Sequence, residues 1–470
     1  MRVAIVAEGS YPFIRGGVAS WIHMLISSKP DIQFEIISIM PKDFKAEYKY
    51  SLLENVQNVR VYQLGKVSEL QSESQLSTQE MNSVSNWLSF KQTDEEALRI
   101  LADYRRLGSV STFLQSRPFW NIVQRTYQEE AQSSSFIDYF WMYRSMCESI
   151  VSLLQQDFPE VDLVHAVSTG YAGVVGAYIK EQQNIPFILT EHGIYTRERE
   201  EEILRATWIP NVYKERWIQY FYHLSKQAYH SADQIITLFG RNSEYQKELG
   251  APDDKLRIIP NGIDYDGLKH IKCEGVTNKL RIGAIVRLVP IKDIKTMLYA
   301  ARMLADEGID FELRIMGPMD EDWDYAQECL ELKDRLMLQD YVIFTGQTHV
   351  KKHLPTLDLL WLTSISEGQP LAILEGLGAG IPFIATDVGS CFELLLAEDG
   401  FGQAGFIVPP VNPKVLADKS LWVYHNRDEA RRFGENGRRR VEAKYQWRDV
   451  IKEYTTIYEM EVKRYRRHRI

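Results

Sequence analysis

Of the 470 residues only four are cysteine, and Cys147, Cys273, Cys329 and Cys391 stand far apart with no CxxC pair. That spacing argues against a disulfide framework or a zinc site and fits a reducing, cytoplasmic setting. Long apolar runs are missing too. No stretch approaches the roughly 18 consecutive apolar residues of a membrane-spanning helix. The apolar run at 3–7 is too short for a secretion signal and reads as a first strand. Positive charge is not in surplus: 55 Lys and Arg against 64 Asp and Glu give −9. Nucleic-acid binding needs the opposite balance. The deficit is uneven, because residues 431–470 carry 13 Lys and Arg against 6 Asp and Glu, a local +7 that leaves −16 elsewhere. No GxGxxG follows the first strand, so the dinucleotide fingerprint is absent.

What is present is ordinary globular material, 45% apolar and 25% charged. The length predicts two large domains, or two plus an insertion. Short runs rich in Val, Ile and Leu at 3–7, 34–39, 59–62, 163–167, 187–189 and 234–238 alternate with helix-like stretches, the first at 16–27. This is the pattern of βαβ units around a buried parallel sheet. A second alternation starts near 279, with strands at 280–286, 311–316, 341–345, 359–363 and 382–386 and a helix at 293–306. The expected class is therefore α/β, with two doubly wound, Rossmann-like domains facing each other. They are expected at 1–268 and 279–446, with a hinge in 265–278 and a final helix at 447–470 that returns to the first domain. Residues 66–155 break the rhythm. They read as a helical insertion with helices at 94–107 and 137–158, whose aromatics form a small core of their own or a docking face.

Ligands of such sheets bind outside the carboxyl ends of the strands, so the loops there carry the chemistry. After the first strand, Gly16 and Gly17 open a helix. Without side chains they let a ligand approach its N–H groups, or they simply make a tight strand-to-helix turn. After the strand at 280–286, Arg287 and Lys292 converge before a helix, which suits a diphosphate or is a pair of solvated cations. After the strand at 359–363 comes SISEGQPLAILEG, with Glu367 and Glu375 eight residues apart. On a helix that is about 12 Å, too far for a glycosidase carboxylate pair. Two separate carboxylates, each accepting a diol, suit a ribose at one end and a hexose at the other. The bland alternative is two ordinary helix glutamates. Acidic 320–324 reads as a surface loop. The basic stretch 463–469 favours a helix C-terminus or anionic lipid.

These segments resemble glycosyltransferase family 4. The carriers are SxSEGQPLAILEGLGAGIPFIATDVGSCFELL with its E-x7-E, RLVPIKDIKTML, the NGID turn at 261–264, and GGV at 16–18. EGSYPFIRGGVASWIHMLI and LTEHGIYTRERE around a long helical insertion resemble, within it, the glycosyltransferases of Pel-type exopolysaccharide synthesis. The resemblance implies the GT-B fold and retaining transfer of a hexose from a UDP-sugar to a growing polysaccharide. It implies no bound metal and no cofactor beyond the donor substrate. The implied setting is the cytoplasm, beside a membrane-embedded export complex and peripheral to the inner face of the cell membrane. By position it implies that Arg287 and Lys292 hold the diphosphate and Glu375 the ribose. Glu367 would hold the donor sugar, aided by the backbone at Gly368, Gln369 and Leu371. Gly16 and Gly17 would approach the donor from the first domain, and His192 would lie near the transferred sugar. Asp293 departs from the family's usual glycine and adds an anion there. Two rivals stay open: a silent scaffold that kept the fold, and a UDP-sugar epimerase.

Overall fold

The computed structural model describes residues 1–66, 74–130, 134–271, 274 and 278–468. Two compact units divide the chain. The first takes 1–237, 242–258 and 454–470, the second 238–241 and 259–453.

The first unit is built on seven parallel strands: β1 (Arg2–Glu8), β2 (Gln33–Met40), β3 (Val56–Gln63), β4 (Leu163–Ala166), β5 (Phe187–Glu191), β6 (Gln234–Thr237) and β7 (Leu256–Ile258). Their order is β3-β2-β1-β4-β5-β6-β7. The central strands are buried on both faces, which is why they are almost entirely apolar. β3 is an edge strand and mostly open, so Gln57, Asn58 and Arg60 are tolerated in it. The direction of chain progression reverses between β1 and β4, the switch point where such sheets leave a crevice.

The second unit repeats the scheme with β8 (Leu280–Ile285), β9 (Phe311–Met316), β10 (Val342–Gly346), β11 (Leu359–Leu362), β12 (Phe383–Thr386) and β13 (Gly405–Val408). All pair in parallel, in the order β10-β9-β8-β11-β12-β13. Its switch point lies between β8 and β11. β7 and β13 have no counterpart in the sequence-based expectation. They are edge strands of three and four residues, and neither is buried throughout as β4, β6, β11 and β12 are.

Three expectations need correction. The chain leaves the first unit after Ile258, well ahead of the expected end at 268, because Ile263, Tyr265 and Leu268 are buried in the second unit's core. Gly267 therefore sits inside the second unit, while Gly275 and Cys273 lie outside the described residues. The final helix Trp447–His468 begins in the second unit and passes to the first at Tyr454. There the Tyr458 hydroxyl meets His165 Nδ1 at 2.6 Å and the Tyr454 hydroxyl meets Thr190 at 3.2 Å. Lastly, the insertion has no core of its own. Trp87, Leu98, Phe113, Phe119 and Tyr143 belong to one continuous cluster with Ala4, Val6 and Ile37 of the sheet. Its helices are also more numerous than expected: Thr78–Leu88, Arg117–Glu130 and Phe136–Leu154 stand beside Glu95–Ala102 and Tyr104–Leu107, which break at Asp103. Part of the Ser- and Gln-rich stretch, 67–73, lies outside the described residues.

Cys147, Cys329 and Cys391 are buried and free. Among the described residues no helix is long and apolar enough to cross a membrane. In the basic tail Arg464 pairs with Asp233 at 2.6 Å and Arg466 with Asp162 at 3.1 Å, so two of its cations are already neutralised; Arg469 lies outside the described residues.

Candidate active site

In the second unit the loops after β8 and β11 flank the switch point and are stitched together. The Thr363 hydroxyl donates to the carbonyls of Lys292 and Asp293 at 2.9 and 3.0 Å, and the Ile365 amide donates to Ile291 at 2.8 Å. This brings Lys292 onto Glu367: Nζ donates to Oε1 at 2.5 Å, and the Ser364 hydroxyl donates to the same oxygen at 2.5 Å. The two side chains are only 16% and 10% exposed. Glu367 is thus held by two donors before any ligand arrives. Ser364 was not anticipated from sequence; its nearness to Glu367 follows from a tight loop, not from spacing.

The same loop runs into the helix Leu371–Gly378. Pro370 is its N-cap and supplies no side-chain bond, so the first amides face outward uncapped. Such a helix start favours an anion. Gly368 and Leu371 lie at this turn, their backbone available to a ligand. The Gln369 side chain is otherwise occupied: its Oε1 accepts from the Asn261 amide at 2.5 Å and its Nε2 donates to Leu238 at 3.4 Å. Its carbonyl accepts from Asn261 Nδ2 at 3.3 Å, so only its backbone amide remains for a donor, and the NGID turn acts as its support. Glu375, a turn along the helix, is partly buried. Burial raises its carboxyl pKa, with Lys351 pulling the other way.

Two further residues fix the loops. Gly389, after β12, has φ +53°, and a Cβ there would stand 2.2 Å from the Gly368 carbonyl oxygen and 2.4 Å from that of Glu367. Only glycine lets the loop after β12 back against the Glu367 turn. Asp293 occupies the left-handed region at φ 47° and caps the helix Ile294–Asp306 by accepting from the Thr296 amide at 3.3 Å. Asx side chains tolerate that conformation and cap well. The departure from glycine is thereby explained: Asp293 spends one oxygen on the helix start.

Arg287 is engaged with a different carboxylate from the one Lys292 holds. It is about half exposed and paired with Glu321. The acidic stretch is therefore more than a surface loop: Glu321 neutralises Arg287, and Asp322 caps the helix Trp323–Arg335. Among the described residues no group of three or more His, Cys, Asp or Glu is placed to hold a metal ion.

In the first unit the helix Gly17–Ser27 likewise starts without a side-chain cap, at Gly16. Neither glycine is required by packing: a Cβ at Gly16 or Gly17 would meet nothing within 4 Å, and neither has a left-handed φ. What their bareness provides is open access to the helix start. His192 follows β5, with its ring edge-on to Trp21 at 4.8 Å. Burial depresses its pKa to about 4, so the imidazole is neutral near pH 7. Its Nε2 is buried without a partner.

Residues 1–254 match the family described as Domain of unknown function (DUF3492), more than half of the chain. The chain belongs to the DUF3492 family. In this DUF3492 chain residues 271–440 match Glycosyl transferases group 1. Over 288 residues it is 23% identical to the MMP alpha-(1->4)-mannosyltransferase of Mycolicibacterium hassiacum, covering 60% of this chain and 67% of that one. Over 175 residues it is 26% identical to the amylovoran biosynthesis glycosyltransferase AmsK of Erwinia amylovora, covering 33% and 41%. The chain thus spans less than half the length of that second relative. The fold is that of Anabaena HepE, solved in complex with UDP, with a TM-score of 0.62 at 16% identity over 98% of this chain and 100% of that one. Two Rossmann-like parallel-sheet units and these matches make the DUF3492 chain a glycosyltransferase of the GT-B type.

Proposed function

We propose that the chain is a retaining hexosyltransferase of family 4, Pel type, that moves a hexose from a UDP-sugar to a growing exopolysaccharide such as that of a biofilm. The observation that carries this reading is the second unit's switch point. There Lys292, Ser364 and Glu367 are locked together beside the uncapped start of the helix that bears Glu375. The UDP complex of HepE and the part of AmsK in amylovoran biosynthesis support the donor and the acceptor class.

In this reading the bond between the anomeric carbon and the β-phosphate breaks, and negative charge grows on the leaving diphosphate. Arg287, Lys292 and the amides at 371–372 meet that charge, with Arg287 exchanging Glu321 for phosphate oxygens. Glu367, fixed by Lys292 and Ser364, accepts hydroxyls of the hexose, and Glu375 those of the ribose. Gly16 and Gly17 leave their helix start open to the donor, and neutral His192 offers Nε2 to the transferred sugar. Attack occurs on the face the phosphate leaves, and the phosphate takes the acceptor's proton, so no protein carboxylate enters a covalent intermediate. Preorganised donors of this kind commonly contribute about 10²–10³ in rate each. No metal is needed in this scheme. The setting is the cytoplasm, beside a membrane-embedded export complex.

Thermal unfolding with UDP, GDP and ADP tests the donor site. At 100 times its dissociation constant a ligand adds about 2.7 kcal/mol to the folded state. UDP alone should raise the transition, and Glu375→Ala should remove the rise. No rise with any nucleotide would refute the donor assignment.

A further inference from the structure

The helix start at Gly16 and Gly17 is braced by the segment 41–50, which follows β2. Residues 14–17 are exposed, and a Cβ on either glycine would meet nothing within 4 Å. Glycine has the widest backbone freedom of any residue, so the shape of this span is set by what holds its two ends. One segment holds both. Before the span, the buried Phe13 ring lies 5.6 Å from Phe44 and 5.1 Å from Tyr48, and the Lys49 amide donates to the Pro12 carbonyl at 3.0 Å. After the span, the Tyr50 hydroxyl is 3.1 Å from the Ser20 hydroxyl, in hydrogen-bond contact with the first turn of the helix Gly17–Ser27. The Tyr50 ring touches both flanks. Its centroid is 5.4 Å from Tyr11, ahead of the glycines, and 5.2 Å from His23, beyond them. The Tyr11 hydroxyl and His23 Nδ1 close the triangle at 3.3 Å. Tilted ring pairs at such separations attract each other, so the three rings lock the flanks together. The attraction of a helix start for an anion fades within its first turn, so it depends on where that turn is placed.

We propose that Tyr50 is a positioning residue for transfer, holding the helix start at Gly16 and Gly17 toward the leaving diphosphate through Ser20 and His23. The diphosphate as the ligand of that helix start comes from the transferase reading on which this role rests. The brace itself is a property of the first unit alone.

The test uses the full chain, with UDP binding read by calorimetry and hydrogen exchange of residues 14–24 read by mass spectrometry. Tyr50→Phe keeps the ring and removes the hydroxyl. It should weaken UDP binding about fivefold, the worth of one neutral hydrogen bond, and leave the melting temperature within a few degrees of wild type. Ser20→Ala should do the same, and the double variant should lose no more than either single one, because both remove one bond. Tyr50→Ala also takes the ring from Tyr11 and His23. It should weaken binding further and speed exchange at the Ser20 amide, whose bond to the Gly16 carbonyl closes the first turn. UDP affinity equal in wild type, Tyr50→Phe and Tyr50→Ala overturns the proposal. Losses in Tyr50→Phe and Ser20→Ala that add in the double variant overturn it as well, since they would be two separate effects. If wild type binds no UDP, the donor assignment fails and exchange decides the brace: faster exchange in Tyr50→Ala upholds it, and unchanged exchange defeats it.

Discussion

Lys292 and Glu367 offer the sharpest test of the second unit's site, because their pairing is a statement about energy. The pair is 2.5 Å long and its side chains are 16% and 10% exposed. Lys292→Met leaves the Glu367 carboxylate largely buried, with the Ser364 hydroxyl as its remaining bonded side chain. Breaking a buried ion pair from one side typically costs about 3–5 kcal/mol, and this pair keeps some exposure, so about 3 kcal/mol is expected. Glu367→Gln keeps the shape and leaves a buried ammonium, at about 2 kcal/mol. The double variant removes both charges and should cost less than the two together, by about 1–3 kcal/mol. Urea unfolding of the four chains, followed by circular dichroism, measures that coupling. Single effects that add within about 0.5 kcal/mol would refute a pair that is formed and buried. Activity should behave differently. On the proposed mechanism each single variant loses about 10²–10³ in kcat/KM, and the double variant regains none of it, since charge balance alone does not stabilise the leaving diphosphate.

Other consequences follow from neighbouring contacts. Gly389→Ala forces a Cβ onto the carbonyls of Gly368 and Glu367 and strains a left-handed position, so donor affinity should fall at least tenfold and the melting temperature by several degrees; unchanged UDP binding would contradict that contact. His192 has its pKa lowered from 6.5 to about 4. Its contribution to stability is therefore full above 6.5 and is lost as pH falls toward 4. The stability difference between wild type and His192→Gln should shrink across that window, and a flat difference would mean the ring is solvated. Arg440 is fully buried and donates to Asp399 at 2.8 and 2.9 Å and to the carbonyls of Leu394, Ala397 and Gly402. Arg440→Ala should cost about 3–5 kcal/mol in urea unfolding, and a loss below about 1 kcal/mol would show the network to be dispensable.

Much of this was legible in the residues because the physics involved is local or periodic. Buried parallel strands must be apolar, so β1, β2, β4, β5, β6, β8, β9, β11 and β12 announced themselves, and two runs of them implied two doubly wound units. The E-x7-E spacing put Glu367 in a loop and Glu375 on the helix after it, and the glycine pair marked a helix start. Edge strands β7 and β13 are not buried throughout, so the rule that a doubly buried strand must be apolar did not single them out. Aromatic composition suggested a separate core for the insertion. Only packing showed that Trp87, Phe113 and Tyr143 continue the sheet's own core. The domain boundary depended on which core takes Ile263 and Leu268, a question no local signal answers. In the sites, residue type and loop position were set by the chain, whereas partners were set by the fold. Glu321 on Arg287, Ser364 on Glu367 and Asn261 on Gln369 all depend on how the loops fold and meet. Those meetings are fixed by strand register and by close approaches such as the one at Gly389, which no reading along a single segment contains.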